Sequence, residues 1–208
     1  MNKKFMLLIL AAVFIGIMVA AGLLYDKLGS EAAPDQLAVQ TQPVTTALVE
    51  TTEATQPPET TQPPETTEPE YMKAPDFTVY DAEGNPHKLS DFFGKPIVLN
   101  FWASWCGPCK SEMPDFNEKY LELGEEVQFL MINLTDGQRE TVAVASQFIE
   151  SQGYSFPVFY DTSYEASNTY GVYSIPTTFF MDAQGNLVAQ ATGAINGETL
   201  MRGIDMVR

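Results

Sequence analysis

Cys106 and Cys109 are the only cysteines in the chain, and they stand three apart in Trp105-Cys106-Gly107-Pro108-Cys109. Two thiols at this spacing, directly after an apolar run and at the start of a helical pattern, point to thiol–disulfide exchange. The apolar run is Ile97-Val98-Leu99-Asn100-Phe101-Trp102, which reads as a buried strand. Cys109, Met113, Phe116 and Tyr120 then recur at the spacing of one helix face. Pro108 suits the first helical position, where its missing N–H would be unpaired anyway. Cys106 is thus expected just ahead of a helix N-terminus, where free N–H groups and the helix dipole favour negative charge. A thiolate is such a charge, so Cys106 is expected to have a lowered thiol pKa and to be the attacking sulfur. Cys109, one turn in and more buried, is placed to attack a mixed disulfide on Cys106 and release a reduced product.

Other uses of the pair fit less well. A structural disulfide that closes a two-residue loop removes little chain entropy. A zinc site takes about four ligands, and beyond the two sulfurs there is one histidine, His87, far upstream beside Asn85-Pro86. A Cys–His hydrolase would need that same His87, which reads as a solvated loop residue.

The elements that must position the sulfurs alternate between strand and helix. Strands are expected at Phe77–Tyr80, Pro96–Trp102, Val127–Asn133 and Pro157–Tyr160, with Asp81 to Pro86 as a turn. Helices are expected at Gly107–Leu123, closed by Gly124, and from a Thr135/Gln138 capping box to about Gln152, stopped by Gly153. A short helix is expected at Ser163–Tyr170, ended by Gly171. Thr177–Met181 and Leu187–Thr192 flank the turn Asp182–Asn186 as a hairpin, and Asn196 caps a last helix. Such interleaving implies α/β layers around a central sheet.

Charge is unevenly distributed. The net charge of −16 divides into +2 over residues 1–29, −8 over 30–70 and −10 over 71–208. An acidic chain of this kind argues against nucleic acid as a partner, which selects basic patches. Met1-Asn2-Lys3-Lys4 precedes Phe5 to Tyr25, 21 residues without a charge and enough for a membrane-crossing helix. Lysines before it and acids after it predict the N-terminus inside and the rest outside. The competing reading is a signal peptide cleaved near Ala20-Ala21-Gly22, but the apolar stretch exceeds the usual length. No cysteine lies near it, so a lipid-modified cysteine is excluded. Thr55-Gln56-Pro57-Pro58-Glu59-Thr60 is repeated as Thr61-Gln62-Pro63-Pro64-Glu65-Thr66. Such Pro/Thr/Glu-rich sequence cannot bury a core, so residues 30–70 are expected to be a disordered linker.

These residues resemble the thioredoxin superfamily. The resemblance is carried by Phe101-Trp102-Ala103, by Trp105 to Lys110, by Pro114 and by Ile175-Pro176-Thr177. Within that superfamily the chain is similar to membrane-anchored, extracytoplasmic thioredoxins of the TlpA/ResA type over nearly all of residues 74–208. The marks are Ala74-Pro75-Asp76-Phe77, Asn100 where thioredoxin has a buried aspartate, Glu112 after the second cysteine, and an extra helix–strand unit near 139–160. The resemblance implies that Glu112 does acid–base work near the buried sulfur and that Pro176 is cis and faces the disulfide. It also implies an integral membrane thiol donor of the CcdA type. One departure is Gly107-Pro108 between the cysteines, as in thioredoxin, where ResA-like chains often carry Glu-Pro. Ala-Pro-Asp-Phe also opens peroxiredoxins, which need a threonine three residues and a proline seven residues before the reactive cysteine. Ala103 and Leu99 stand there instead, so peroxidase chemistry is not expected.

The resulting expectation is a thioredoxin-like α/β domain over 71–208. Its central mixed sheet is flanked by helices, with an inserted helix–strand unit, and the domain is preceded by a transmembrane helix and the linker. It is expected to reduce disulfides of exported proteins with Cys106, Cys109, Glu112 and Pro176, and Trp105, Gly107, Pro108 and Ile175 form the substrate surface. No flavin or nicotinamide motif is present, so no cofactor is expected beyond the redox-active Cys106–Cys109 disulfide. The alternatives are a dithiol oxidase and a metal-handling module using the sulfurs as soft ligands.

Overall fold

The computed structural model describes residues 37–40 and 71–208. Its strands are β1 (Leu37–Val39), β2 (Met72–Lys73), β3 (Thr78–Tyr80), β4 (Pro86–Lys88), β5 (Ile97–Trp102), β6 (Gln128–Asn133), β7 (Val158–Tyr160), β8 (Thr177–Met181) and β9 (Asn186–Thr192). Its helices are α1 (Gly107–Leu123), α2 (Val142–Gln152), α3 (Glu165–Thr169) and α4 (Gly197–Asp205), with a 3₁₀ turn at Leu89–Phe92.

One sheet joins the strands in the order β1-β9-β8-β5-β6-β7-β3-β4, and β2 also pairs with β9. β5, β6 and β7 run parallel, because a helical crossover feeds each next strand in the same direction. β8 is antiparallel to both β5 and β9, so the sheet is mixed. β5 is buried at every residue, which is why it reads as an unbroken apolar run rather than an alternating one. Successive side chains go to opposite faces. Val98 and Trp102 join Met113, Phe116, Phe180, Leu200 and Ile204 in the core under α1 and α4. Ile97, Leu99 and Phe101 join Phe77, Leu89, Leu130 and Phe179 on the other face.

α4 lies close on that first core. Its Gly203 sits against the Phe180 ring, leaving no room for a Cβ. Asn196 accepts the Thr199 N–H at 2.9 Å, as its expected cap role requires.

Three expectations need correction. Leu37–Val39, inside the expected linker, pairs antiparallel with Ala189–Ala191 of β9. Apolar Leu37 packs on the core there, and the strand covers an edge that would otherwise leave N–H and C=O groups unpaired. The remainder of the expected linker and the whole apolar N-terminal stretch lie outside the described residues. Thr135 and Gln138 cap nothing: α2 begins at Val142, and Thr141 accepts the Val144 N–H at 3.2 Å. Thr135 instead donates to Asn133 Oδ1 at 2.9 Å, within the loop after β6. His87 is not a solvated loop residue. It lies in β4, half-buried, with its ring 5.2 Å from that of Phe159 and Nε2 3.3 Å from Asp81. Gly124 closes α1 as expected, with right-handed backbone, φ −61°, and not in the left-handed stop common for glycine. Gly153 does make that stop, with φ 69°.

Candidate active site

Three chain segments leave the sheet at one end, and they meet around the sulfurs. β5 delivers Ala103–Cys106, β6 delivers the loop before α2, and β8 is entered through Ile175-Pro176. Pairing sets these ends level: Trp102 stands opposite Asn133, and Phe101 opposite Thr177.

The turn from β5 into α1 closes through the Cys106 N–H, which donates to Ala103 O at 3.1 Å. Cys106 caps α1 with extended backbone, and its Sγ accepts the Cys109 N–H at 3.2 Å. The cap atom of this helix is therefore the sulfur itself, an arrangement that favours negative charge on Cys106 once it is reduced. Gly107 is the first helical residue and Pro108 the second, so the absent N–H of Pro108 falls where no intrahelical partner exists. Cys106 and Cys109 form a disulfide, with Cα atoms 5.3 Å apart. Cys106 retains 4% exposure and Cys109 none, so substrate can approach only Cys106.

The Ile175–Pro176 peptide is cis, as the family resemblance implied. Cys106 Sγ lies 3.6 Å from Ile175 O. Trp105 is 43% exposed and Tyr173 99%, so exposed aromatic surface occurs both just before Cys106 and just before the Ile175–Pro176 bond. Trp102 and Phe101 are core residues, as expected.

Glu112 lies one helical turn beyond Cys109, on the same face of α1. It is 2% exposed, so it is no solvated residue of the helix surface. Its Oε1 accepts from Asn100 Nδ2 at 2.9 Å and its Oε2 from the Ile195 N–H at 2.9 Å. Asn100 Nδ2 also donates to Thr178 Oγ1 at 3.0 Å, so α1, β5, β8 and the β9–α4 connection share one polar cluster. Loss of water pushes the Glu112 pKa up from 4.5 to about 7. The two donated hydrogen bonds oppose that rise, and nearby Asp115 adds to it. A carboxyl group in this state can hold or give up a proton near neutral pH.

A second buried acid escaped the sequence reading. Glu140, with no exposure, accepts from Ser104 N at 2.7 Å, Ser104 Oγ at 2.6 Å and Asn133 Nδ2 at 2.7 Å. Beside it, the Arg139 guanidinium lies 4.3 Å from the centre of the Trp105 ring. Asp136-Gly137-Gln138-Arg139-Glu140 has the composition of a solvated loop. A lone glutamate there carries no period or motif that would mark it as buried.

Comparison with known proteins agrees with this geometry. A family model described as the AhpC/TSA family matches residues 72–190. The thiol-disulfide oxidoreductase ResA of Geobacillus thermodenitrificans is 35% identical over 136 residues, which cover 65% of this chain and 76% of that protein. Among solved structures, StoA from Bacillus subtilis is similar with a TM-score of 0.55 at 28% identity, covering 62% of this chain and 96% of StoA. The pneumococcal exposed lipoprotein thioredoxin Etrx1 from Streptococcus pneumoniae is similar with a TM-score of 0.53 at 30% identity, covering 63% of this chain and 98% of Etrx1. A disulfide at a helix N-terminus beside a cis proline, on a thioredoxin-like sheet and with relatives of this kind, places the chain in the AhpC/TSA family as a thiol–disulfide oxidoreductase of the ResA type.

Proposed function

We propose that this protein works as a reductase outside the cytoplasm, tethered to the membrane by its first 25 residues and passing electrons to disulfides of exported proteins. The observation that carries this reading is the sulfur pair at the α1 N-terminus with the Glu112 carboxyl buried one turn behind it.

The chemistry begins with the dithiol form. The Cys106 thiolate attacks one sulfur of a substrate disulfide; a Cys106–substrate bond forms, and the other substrate sulfur leaves as a thiolate that takes up a proton. Cys109 then gives its proton to the Glu112 carboxylate and attacks Cys106 Sγ. The second substrate sulfur leaves as a thiolate and takes up the proton held by Glu112, and the Cys106–Cys109 disulfide remains. Two electrons and two protons have passed to the substrate. Trp105, Gly107, Pro108, Ile175 and the cis Pro176 form the surface on which the substrate segment lies. A membrane dithiol donor of the CcdA type restores the reduced state, and apocytochrome c is one substrate class that fits this scheme.

The direction of flow is inferred from the residues between the sulfurs. Oxidising members of this fold tend to carry a histidine there, which stabilises a very acidic thiolate. Gly107-Pro108 offers no such charge, so the disulfide is the more stable partner. Placement outside the cytoplasm draws on the uncharged run from Phe5 to Tyr25 and on the description of the pneumococcal relative as an exposed protein. Among the described residues, no helix is long and apolar enough to cross a membrane, and the run itself lies outside them.

Four outcomes follow from this scheme. Cys106→Ser abolishes mixed-disulfide formation, whereas Cys109→Ser accumulates it; wild-type turnover by Cys109→Ser, followed by gel shift and insulin reduction, would refute the assignment of Cys109 as the resolving sulfur. The equilibrium against glutathione and dithiothreitol should give a reduction potential nearer thioredoxin's, about −270 mV, than that of strong oxidants, about −120 mV. A value above about −180 mV would make the protein an oxidase instead. In cell fractionation the full-length chain, its first 25 residues retained, pellets with membranes; a soluble form beginning near Gly22 would replace the tether with a cleaved signal.

The last outcome concerns Glu112. Its folded pKa of about 7 lies above the ordinary 4.5, so the folded state binds the extra proton between those values. The associated stability is fully present below about pH 4.5 and is lost as pH rises to about 7, by as much as about 3 kcal/mol. Glu112→Gln should remove that fall in urea unfolding series across this range and slow disulfide reduction near neutral pH. A pH–stability curve and a pH–rate curve both identical to wild type would remove Glu112 from the proton pathway.

A further inference from the structure

We propose that Glu140 is a positioning residue for Cys106: the loop between β6 and α2 holds the redox-active turn in place through the Glu140 carboxylate inside and the Arg139 guanidinium outside. The proposal takes Cys106 and Cys109 as the reacting pair and assigns a function to an acid outside the Glu112 cluster.

The turn Ala103–Cys106 has one internal bond, from Cys106 N to Ala103 O. Its second and third residues, Ser104 and Trp105, make none of the strand or helix bonds that hold their neighbours. Glu140 supplies what is missing. Both polar groups of Ser104 reach it, the backbone N–H on Oε1 and the hydroxyl on Oε2, at 2.7 and 2.6 Å. A carboxylate only accepts, and two oxygens in one plane fit two donors of one residue. Asn133 at the end of β6 donates to the same Oε1, so the hold is referred back to the sheet. Asn133 in turn accepts from Thr135, and Asp136 accepts the Glu140 N–H at 2.8 Å, so the loop is internally braced. On the outer side Arg139 covers the Trp105 ring, a cation–π contact. Adjacent residues of one loop thus grip adjacent residues of another, from opposite sides.

Attack on a disulfide needs the sulfur at a defined place relative to the helix N–H groups that stabilise its charge. Cys106 Sγ has the Cys109 N–H as its donor at 3.2 Å, and slack in the preceding turn would lengthen that contact. Loss of the brace therefore raises the thiol pKa of Cys106 and slows its attack, with the fold retained.

The test is the pH dependence of Cys106 alkylation by iodoacetamide in the reduced full-length protein. Glu140→Gln keeps the shape but removes the charge and reverses one bond, so that the Ser104 hydroxyl accepts from an NH₂ instead of donating to a carboxylate. Ser104→Ala removes one of the three bonds. Lys110, Glu112 and Arg139 stay unaltered in both variants, and loss of the Glu140 negative charge by itself would move the midpoint down, opposite to the shift expected from a slack turn. Folded Glu140→Gln, verified by circular dichroism and melting, should move the alkylation midpoint to higher pH and cut the rate below it by about tenfold. Ser104→Ala should move both in the same direction by less. A folded Glu140→Gln with the wild-type midpoint and rate overturns the proposal, even if its melting temperature falls. Should Glu140→Gln fail to fold, Ser104→Ala decides: a shifted midpoint supports the brace, and an unshifted one overturns it.

Discussion

The Glu112 carboxyl group, withdrawn from water in the middle of the molecule, is the constraint that the other elements must satisfy. A buried carboxyl without partners costs several kcal/mol. Two donors offset part of that, Asn100 from β5 and the Ile195 N–H from the connection between β9 and α4. What they leave uncompensated is visible as the pKa of about 7, a cost of about 3 kcal/mol to the ionised form. The cluster has little freedom to shift. A one-residue slip of β5 would send Asn100 to the opposite face and break its bonds to Glu112 and Thr178 together. A rotation of α1 would remove Glu112 from Ile195, and Asp115, one turn on, would lose its bond to the Gly197 N–H. Strand register, helix rotation and the start of α4 are therefore tied to one acid, which lies one turn from the buried sulfur.

That constraint explains the division of labour between the faces of the sheet. The face under α1 and α4 carries Val98, Trp102 and Phe180 together with Cys109 and the Glu112 cluster. The opposite face is apolar through Leu99, Phe101, Leu130 and Phe179. Parallel β5 and β6 end at the same level, and antiparallel β8 begins there. Three loops of different origin thus converge at one end of the sheet, where open α/β sheets bind their ligands. The sulfur proposed to exchange with substrate lies at that end, and the acid proposed to handle the proton lies beneath it.

Glu112 and Glu140, both buried, differ in how they are held. Glu112 has two donors and stands beside Cys109, so it can take and release a proton. Glu140 has three, at 2.6 to 2.7 Å, two from Ser104 in the turn it holds and one from Asn133 at the end of β6. The first arrangement leaves ionisation finely balanced. The second ties three donors from two segments to one side chain and so fixes geometry.

Much of this was legible in the sequence, because it depends on short-range rules. A Cys-Gly-Pro-Cys run after six buried strand residues places a sulfur at a helix N-terminus, since strand and helix periods and the position of Pro108 are local properties. α1, β5, the β8–β9 hairpin and the Asn196 cap were readable for the same reason. The cis state of Pro176 and the identity of Glu112 came from family resemblance, since neither has a local signal. The remainder required the third dimension. His87 was misplaced because the ring that shelters it, Phe159, is 72 residues away, and no window along the chain contains both. Thr135 and Gln138 have the spacing of a capping box, but Asn133 competes for the Thr135 hydroxyl, and α2 starts later. Leu37–Val39 has linker composition around it and becomes a strand only because β9 offers an open edge. Glu140 is the clearest case: its type and its neighbours describe a solvated loop. Its burial is decided by donors 36 residues before it and 7 before it, brought together when β5 and β6 pair. Local patterns along the chain are enough to single out the sulfur pair, whereas the distant groups that hold it are fixed on folding, because long-range hydrogen bonds leave no period in the chain.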